Sequence, residues 1–182
     1  MKRILPLTFA LLLSFSLNAQ TSLTEAVNFK STAHGGEEID LFEILDNGQY
    51  VLLDFFFSTC GPCKEYAPRI VEAYYRLGSN QKDVYIMEIS PSDNYKPYST
   101  DAWINMFDIP YPTIHTKTGG DTGDSIYAWY QVVACPTLVL IAPDHKILLQ
   151  DYKPESAESF VEFLSTTYGI ETFEVEGIEE HS

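Results

Sequence analysis

The spacing of apolar and polar positions changes abruptly between Val51 and Tyr74. Val51-Leu52-Leu53 and Phe55-Phe56-Phe57 make a nearly continuous apolar run, interrupted only by Asp54, as expected of a strand covered on both faces. A short polar link, Ser58-Thr59, follows. From Cys63 onward the apolar side chains recur as Cys63, Tyr66, Ala67, Ile70, Val71 and Tyr74, the spacing of a helix that packs one stripe on a sheet. The stretch therefore predicts buried strand, turn and amphipathic helix, with Cys60-Gly61-Pro62-Cys63 at the seam.

The flanking patterns extend this unit in both directions. Residues 27–30 and 38–40, separated by His34-Gly35-Gly36, predict a hairpin, then a short helix over 41–45 and an Asn47-Gly48 turn into the strand at Tyr50. Beyond the cysteine helix, residues 83–89 predict a second, parallel strand. Residues 90–100 read as a polar, proline-bearing loop, 101–107 as a helix, 111–115 as an added strand, and Thr118-Gly119-Gly120 as a turn. A helix over 124–131, strands over 137–142 and 147–149, and a closing helix over 155–168 complete one α/β domain. That last helix sets Ala157, Phe160, Val161 and Leu164 on one face.

The seam is where chemistry is expected. The first N–H groups of a helix have no partners and its dipole favours negative charge, so a thiolate is stabilised there. Cys60 lies outside the apolar stripe and is expected to be the exposed nucleophile; Cys63 opens the stripe and is expected to resolve the mixed disulfide. A static disulfide or a zinc half-site is the alternative. Zinc requires four ligands, whereas His34, His115, His145 and His181 are scattered singly, and the pattern requires neither metal nor cofactor. Asp54 sits in an apolar strand where charge is costly, so its carboxyl is expected to keep a proton near neutral pH and to exchange it with Cys63; a hydrogen-bonded structural acid is the alternative. Glu88 is a weaker candidate of the same kind and reads as an ordinary strand residue.

Two motifs carry a family resemblance. Cys60-Gly61-Pro62-Cys63-Lys64, the acid six positions upstream at Asp54, and Ala67-Pro68 inside the helix resemble the thioredoxin-like family. Cys135-Pro136-Thr137 ahead of the apolar run 138–141 resembles that family's cis-proline loop and following core strand. The resemblance spans roughly residues 26–168 and implies a thioredoxin fold with Pro136 facing the two cysteines. The N-terminal hairpin, and a helix and strand inserted between the second core strand and the cis-proline, resemble the exported TlpA-like subgroup. The implied activity is thiol-disulfide exchange with protein disulfides or dithiols, supported by a further redox partner. Thr59, Gly61, Pro62, Cys135 and Pro136 would line the substrate groove.

Two positions depart from the family. Thr59 stands where thioredoxins carry tryptophan, and Tyr66 stands where the subgroup often has a glutamate. The Gly61-Pro62 pair resembles thioredoxin, whose couple lies at about −270 mV, which implies the reducing direction. Cys135 admits three readings: a small packing residue, a thiol that competes for Cys60, or the third ligand of a soft metal. The last belongs to an alternative function, a binding module of the same fold that captures a partner or a metal through Cys60, Cys63 and Cys135.

Composition adds the address and excludes some partners. Lys2-Arg3, the apolar run 4–17 and Asn18-Ala19-Gln20 have the layout of a secretory signal peptide, expected over 1–19 with cleavage after Ala19. The run is shorter than the ~20 residues of a membrane span, so export to a periplasm or medium without a stable membrane anchor is expected. Only three cysteines are present, too few for a stapled scaffold in an oxidising compartment. Without Lys2 and Arg3, nine basic side chains face 26 acidic ones, a formal charge of −17 that disfavours nucleic acid. The domain is placed at 20–170, and residues 171–182, with five glutamates, read as a solvated acidic tail.

Overall fold

The computed structural model describes residues 21–93, 96–150 and 152–174. The signal peptide expected at 1–19 and most of the acidic tail lie outside the described residues. In chain order the elements are β1 (Lys30–Thr32), β2 (Glu38–Asp40), α1 (Leu41–Asp46), β3 (Tyr50–Phe55), α2 (Gly61–Arg76), β4 (Val84–Ile89) and α3 (Thr100–Phe107). Then come β5 (Thr113–Ile114), β6 (Gly119–Gly120), α4 (Gly123–Trp129), β7 (Thr137–Ile141), β8 (Ile147–Leu149) and α5 (Ala157–Tyr168).

Five strands form the central sheet in the order β5-β4-β3-β7-β8, with β3 in the middle, parallel to β4 and antiparallel to β7. The middle position explains the continuous apolar run, since both faces of β3 are covered. Leu52 belongs to the cluster of α2 and α5 with Ala67, Ile70, Phe160 and Leu164, whereas Val51, Leu53 and Phe55 belong to that of α1 and α4 with Leu41, Leu45, Ile126 and Tyr130. The α2 stripe reads through as expected: Cys63, Ala67, Ile70 and Ala73 are buried and Pro68 lies within the helix. The closing helix is held by a capping box between Ser156 and Ser159, an arrangement typically worth about 1 kcal/mol.

Two local expectations are corrected. The first hairpin strand is Lys30–Thr32 rather than 27–30, because Phe29 turns into the core and its carbonyl accepts from Leu41 N at 3.1 Å. Gly119-Gly120, expected as a turn, is instead β6 and pairs with β1 to make a second, three-stranded sheet in the order β2-β1-β6. Only glycine fits at 120, where φ is +69° and a Cβ would stand 2.4 Å from the Lys30 carbonyl oxygen. At the other end of the chain, Glu171 N donates to Asp83 Oδ2 and Phe173 N to the Arg76 carbonyl, so the chain still lies against the body here. The expected tail beyond residue 174 is outside the described residues.

Candidate active site

The strand β3 delivers the chain to the surface through Phe56 and Phe57, and Ser58 locks the turn by donating to the Tyr98 carbonyl at 2.6 Å. Cys60 is the N-cap of α2 with extended backbone, and its sulfur accepts from Cys63 N at 3.1 Å. Cys60 and Cys63 are joined in a disulfide with their Cα atoms 5.2 Å apart. Gly61 and Pro62, the first helical residues, are exposed above it. The structure differs from expectation at Cys60, which is only 4% exposed. The reason is tertiary: the disulfide turns its sulfur inward, and the Cys135 carbonyl oxygen lies 3.7 Å away.

That carbonyl is brought there by the loop before β7. The Cys135-Pro136 peptide bond is cis, as the motif implied, and half-buried Pro136 leads directly into the strand that pairs with β3. The Cys135 thiol points elsewhere. Its sulfur is 3.0 Å from the Tyr127 hydroxyl on α4, and that hydroxyl donates to the Phe56 carbonyl at 2.7 Å. A phenol has one proton to give, so Cys135 S–H donates to the Tyr127 oxygen, a polarity that holds the thiol in its neutral form. Burial acts in the same direction and pushes the Cys135 thiol up to about 11. Cys135 therefore presents its backbone to the disulfide and a protonated thiol to α4.

Asp54 lies on β3, two positions after Leu52, on the sheet face whose packed cluster includes Cys60 and Cys63. It is 4% exposed, and its Oδ1 has no hydrogen-bond partner among the described residues. Desolvation alone pushes its carboxyl up to about 7. Thr59 is half-buried at the rim, and Lys64 Nζ lies 4.4 Å over the Tyr98 ring.

The family model for the AhpC/TSA family matches residues 23–150, more than half of the chain. The chain belongs to the AhpC/TSA family. Among curated relatives of this AhpC/TSA chain, the thiol-disulfide oxidoreductase ResA of Bacillus thuringiensis subsp. konkukian is 25% identical over 140 residues, 77% of this chain and 75% of that one. Two solved structures share the fold. StoA of Bacillus subtilis has a TM-score of 0.59 at 21% identity and covers 75% of this chain and 96% of its own. A secreted disulfide oxidoreductase of Mycobacterium tuberculosis has a TM-score of 0.59 at 16% identity, covering 76% and 95%. The thioredoxin-like fold expected from the cysteine motifs is thus the fold of this family member, with the extra hairpin and the inserted α3 and β5.

Two site residues were undervalued by sequence reasoning. Tyr127 lies on α4, and nothing in its spacing links it to Cys135. Glu88 left a signal, an acid in a strand whose other five residues are all apolar or aromatic and all buried. A cluster of His34, Asp101 and His115 was not expected either; one donor atom from each lies within 4.8 Å of the others. His115 Nδ1 accepts from Lys117 N, which leaves only its Nε2 as a ligand atom, and the Lys117 ammonium sits on the neighbouring Asp93.

Proposed function

We propose that this AhpC/TSA member is a thiol-disulfide oxidoreductase that exchanges disulfides with protein substrates through Cys60 and Cys63. The observation that carries the reading is the disulfide capping the N-terminus of α2 beside the cis-Pro136 loop and above the buried Asp54. In the reduced state the Cys63 N–H and the helix N-terminus favour a Cys60 thiolate. That thiolate attacks one sulfur of a substrate disulfide, forming a Cys60–substrate disulfide and expelling the other substrate sulfur, which takes a proton. Cys63 then loses its proton toward Asp54 and attacks the Cys60 sulfur, forming the Cys60–Cys63 bond and releasing the second substrate thiol. Two electrons leave the cysteine pair and one substrate disulfide becomes two thiols. A dithiol donor reverses the cycle on the enzyme.

Thr59, Gly61, Pro62, Cys135 and Pro136 are assigned to the groove for an extended substrate segment. Support comes from the exposure of Gly61 and Pro62 and from exposed Val133 and Ala134 on the approach to the cis bond, an apolar edge suited to a polypeptide. Reduction is the favoured direction, since the Gly61-Pro62 pair resembles thioredoxin. Export to a periplasm or medium through the segment ending near Ala19 fits the cysteine usage, and the structural neighbour from Mycobacterium tuberculosis is a secreted protein. No helix among the described residues is long and apolar enough to cross a membrane. Insulin reduction with dithiothreitol, together with equilibration of the Cys60/Cys63 couple in redox buffers, tests the proposal. Turnover with a potential near about −270 mV supports it, a potential near about −120 mV would reverse the direction, and no turnover would refute the activity.

A further inference from the structure

The sheet beneath the disulfide carries two acids. Asp54 on β3 and Glu88 on β4 are direct partners in the parallel register, so both side chains leave the same face of the sheet. It is the face that α2 covers, because Leu52 and Ile86, two positions before each acid, belong to one packed cluster with Cys60, Cys63, Ala67 and Trp103. Glu88 is fully buried. Its two oxygens accept from Trp103 Nε1 at 3.2 Å and from Thr113 Oγ1 at 2.7 Å. Asp54 Oδ1 and the buried Tyr111 hydroxyl have no partner among the described residues. The other titratable groups around the acids are Tyr111 from the segment before β5, Cys60 and Cys63 from α2, and Cys135 from the loop before β7. Among the described residues, no lysine, arginine or histidine pairs with either carboxyl.

Two neighbouring carboxylates in a desolvated site without a cation oppose each other's ionisation. Burial pushes Asp54 up to about 7 and Glu88 up to about 8, the second helped by Asp54. Taken singly, those values would ionise Asp54 first. The hydrogen bonds argue for the reverse order: desolvation bears on both acids, but donors to both oxygens serve only Glu88 and suit a carboxylate there. The charge then resides on Glu88 and the proton on Asp54.

We propose that Asp54 and Glu88 form one acid pair, in which Glu88 is the positioning residue that fixes how strongly Asp54 retains its proton beneath Cys60 and Cys63. The proposal rests on the disulfide-exchange reading for its purpose, and on the strand register for its existence. The acids move no electrons. The singly charged pair takes up the proton that Cys63 releases on attacking Cys60, Asp54 receiving it as its own proton passes to Glu88, and returns it when the disulfide opens.

The test is a titration of the side-chain carboxyl carbons by NMR in the oxidised full chain, for wild type, Glu88→Gln, Glu88→Asp and Asp54→Asn. With Cys60 and Cys63 bonded, their thiols do not titrate. The Asp54 curve is expected to move down by about one pH unit or more in Glu88→Gln, and to stay raised in Glu88→Asp, which keeps the charge. In wild type the Glu88 signal should show a second, higher-pH inflection where Asp54 ionises beside it, and Asp54→Asn should remove that inflection, since coupling between two proton sites is reciprocal. An unmoved Asp54 curve in folded Glu88→Gln overturns the pair. If that variant does not fold, a Glu88 signal with the same curve shape in wild type and in Asp54→Asn, which leaves the Trp103 and Thr113 contacts in place, overturns it equally. The pH dependence of insulin reduction is a separate readout, and its low-pH limb should follow the first ionisation of the pair. Coupled titration without insulin reduction would sink the redox reading and leave the pair standing.

Discussion

Asp54→Asn is expected to alter the pH dependence of folding more than its overall level. Burial raises the Asp54 carboxyl from 3.8 to about 7, so the native chain keeps a proton that the unfolded chain has released. The associated stability is fully present below 3.8 and is lost as pH rises through about 7. At about 1.4 kcal/mol per pH unit, the loss across that interval is on the order of 4 kcal/mol, and coupling to Glu88 extends it to higher pH. Asparagine keeps the shape and does not titrate, but its buried amide needs partners that the carboxyl lacked, a cost of about 1–3 kcal/mol at every pH. The variant should therefore be less stable than wild type near pH 4 and equal to it, or more stable, near pH 8. Urea unfolding of both oxidised proteins across that range measures the difference directly. A gap between the two that stays constant from pH 4 to pH 8 would refute the argument from burial.

Further outcomes follow from other parts of the site. Cys60→Ser should abolish exchange while Cys63→Ser accumulates mixed disulfides with substrate; equal alkylation rates for the two cysteines in the reduced wild type would contradict their separate roles. Tyr127→Phe removes the oxygen that accepts from the Cys135 thiol, so alkylation of Cys135 at about pH 8 should become several-fold faster, whereas slower alkylation would mean that Tyr127 is the donor. Gly123→Ala would place a Cβ 1.9 Å from the Ser90 carbonyl oxygen at the start of α4. That clash should cost about 3 kcal/mol, seen as a fall in Tm of roughly 5–10 °C, and an unchanged Tm would show that the backbone yields freely there.

What the sequence by itself determined is whatever lies within one element or one short turn. The apolar run from Val51, the stripe from Cys63 to Tyr74 and the two-residue gap between the cysteines were readable because strand and helix periodicities are local, and β3, α2 and the disulfide follow from them. The cis bond before Pro136 was legible only through the family motif, because spacing carries no sign of it. What joins distant segments was decided by tertiary structure alone. Gly119-Gly120 has every local mark of a turn, yet β1 needs a partner for its free edge and takes it as a strand. Cys60 belongs to no apolar stripe, but the cis-proline loop covers it. Cys135 meets Tyr127 only after α4 folds back toward the end of β3, and Glu88 becomes the neighbour of Asp54 only through the register of β4 on β3. A shift of one residue in that register would turn Glu88 to the opposite face, so the acid pair depends on strand pairing, which local spacing in the sequence does not encode.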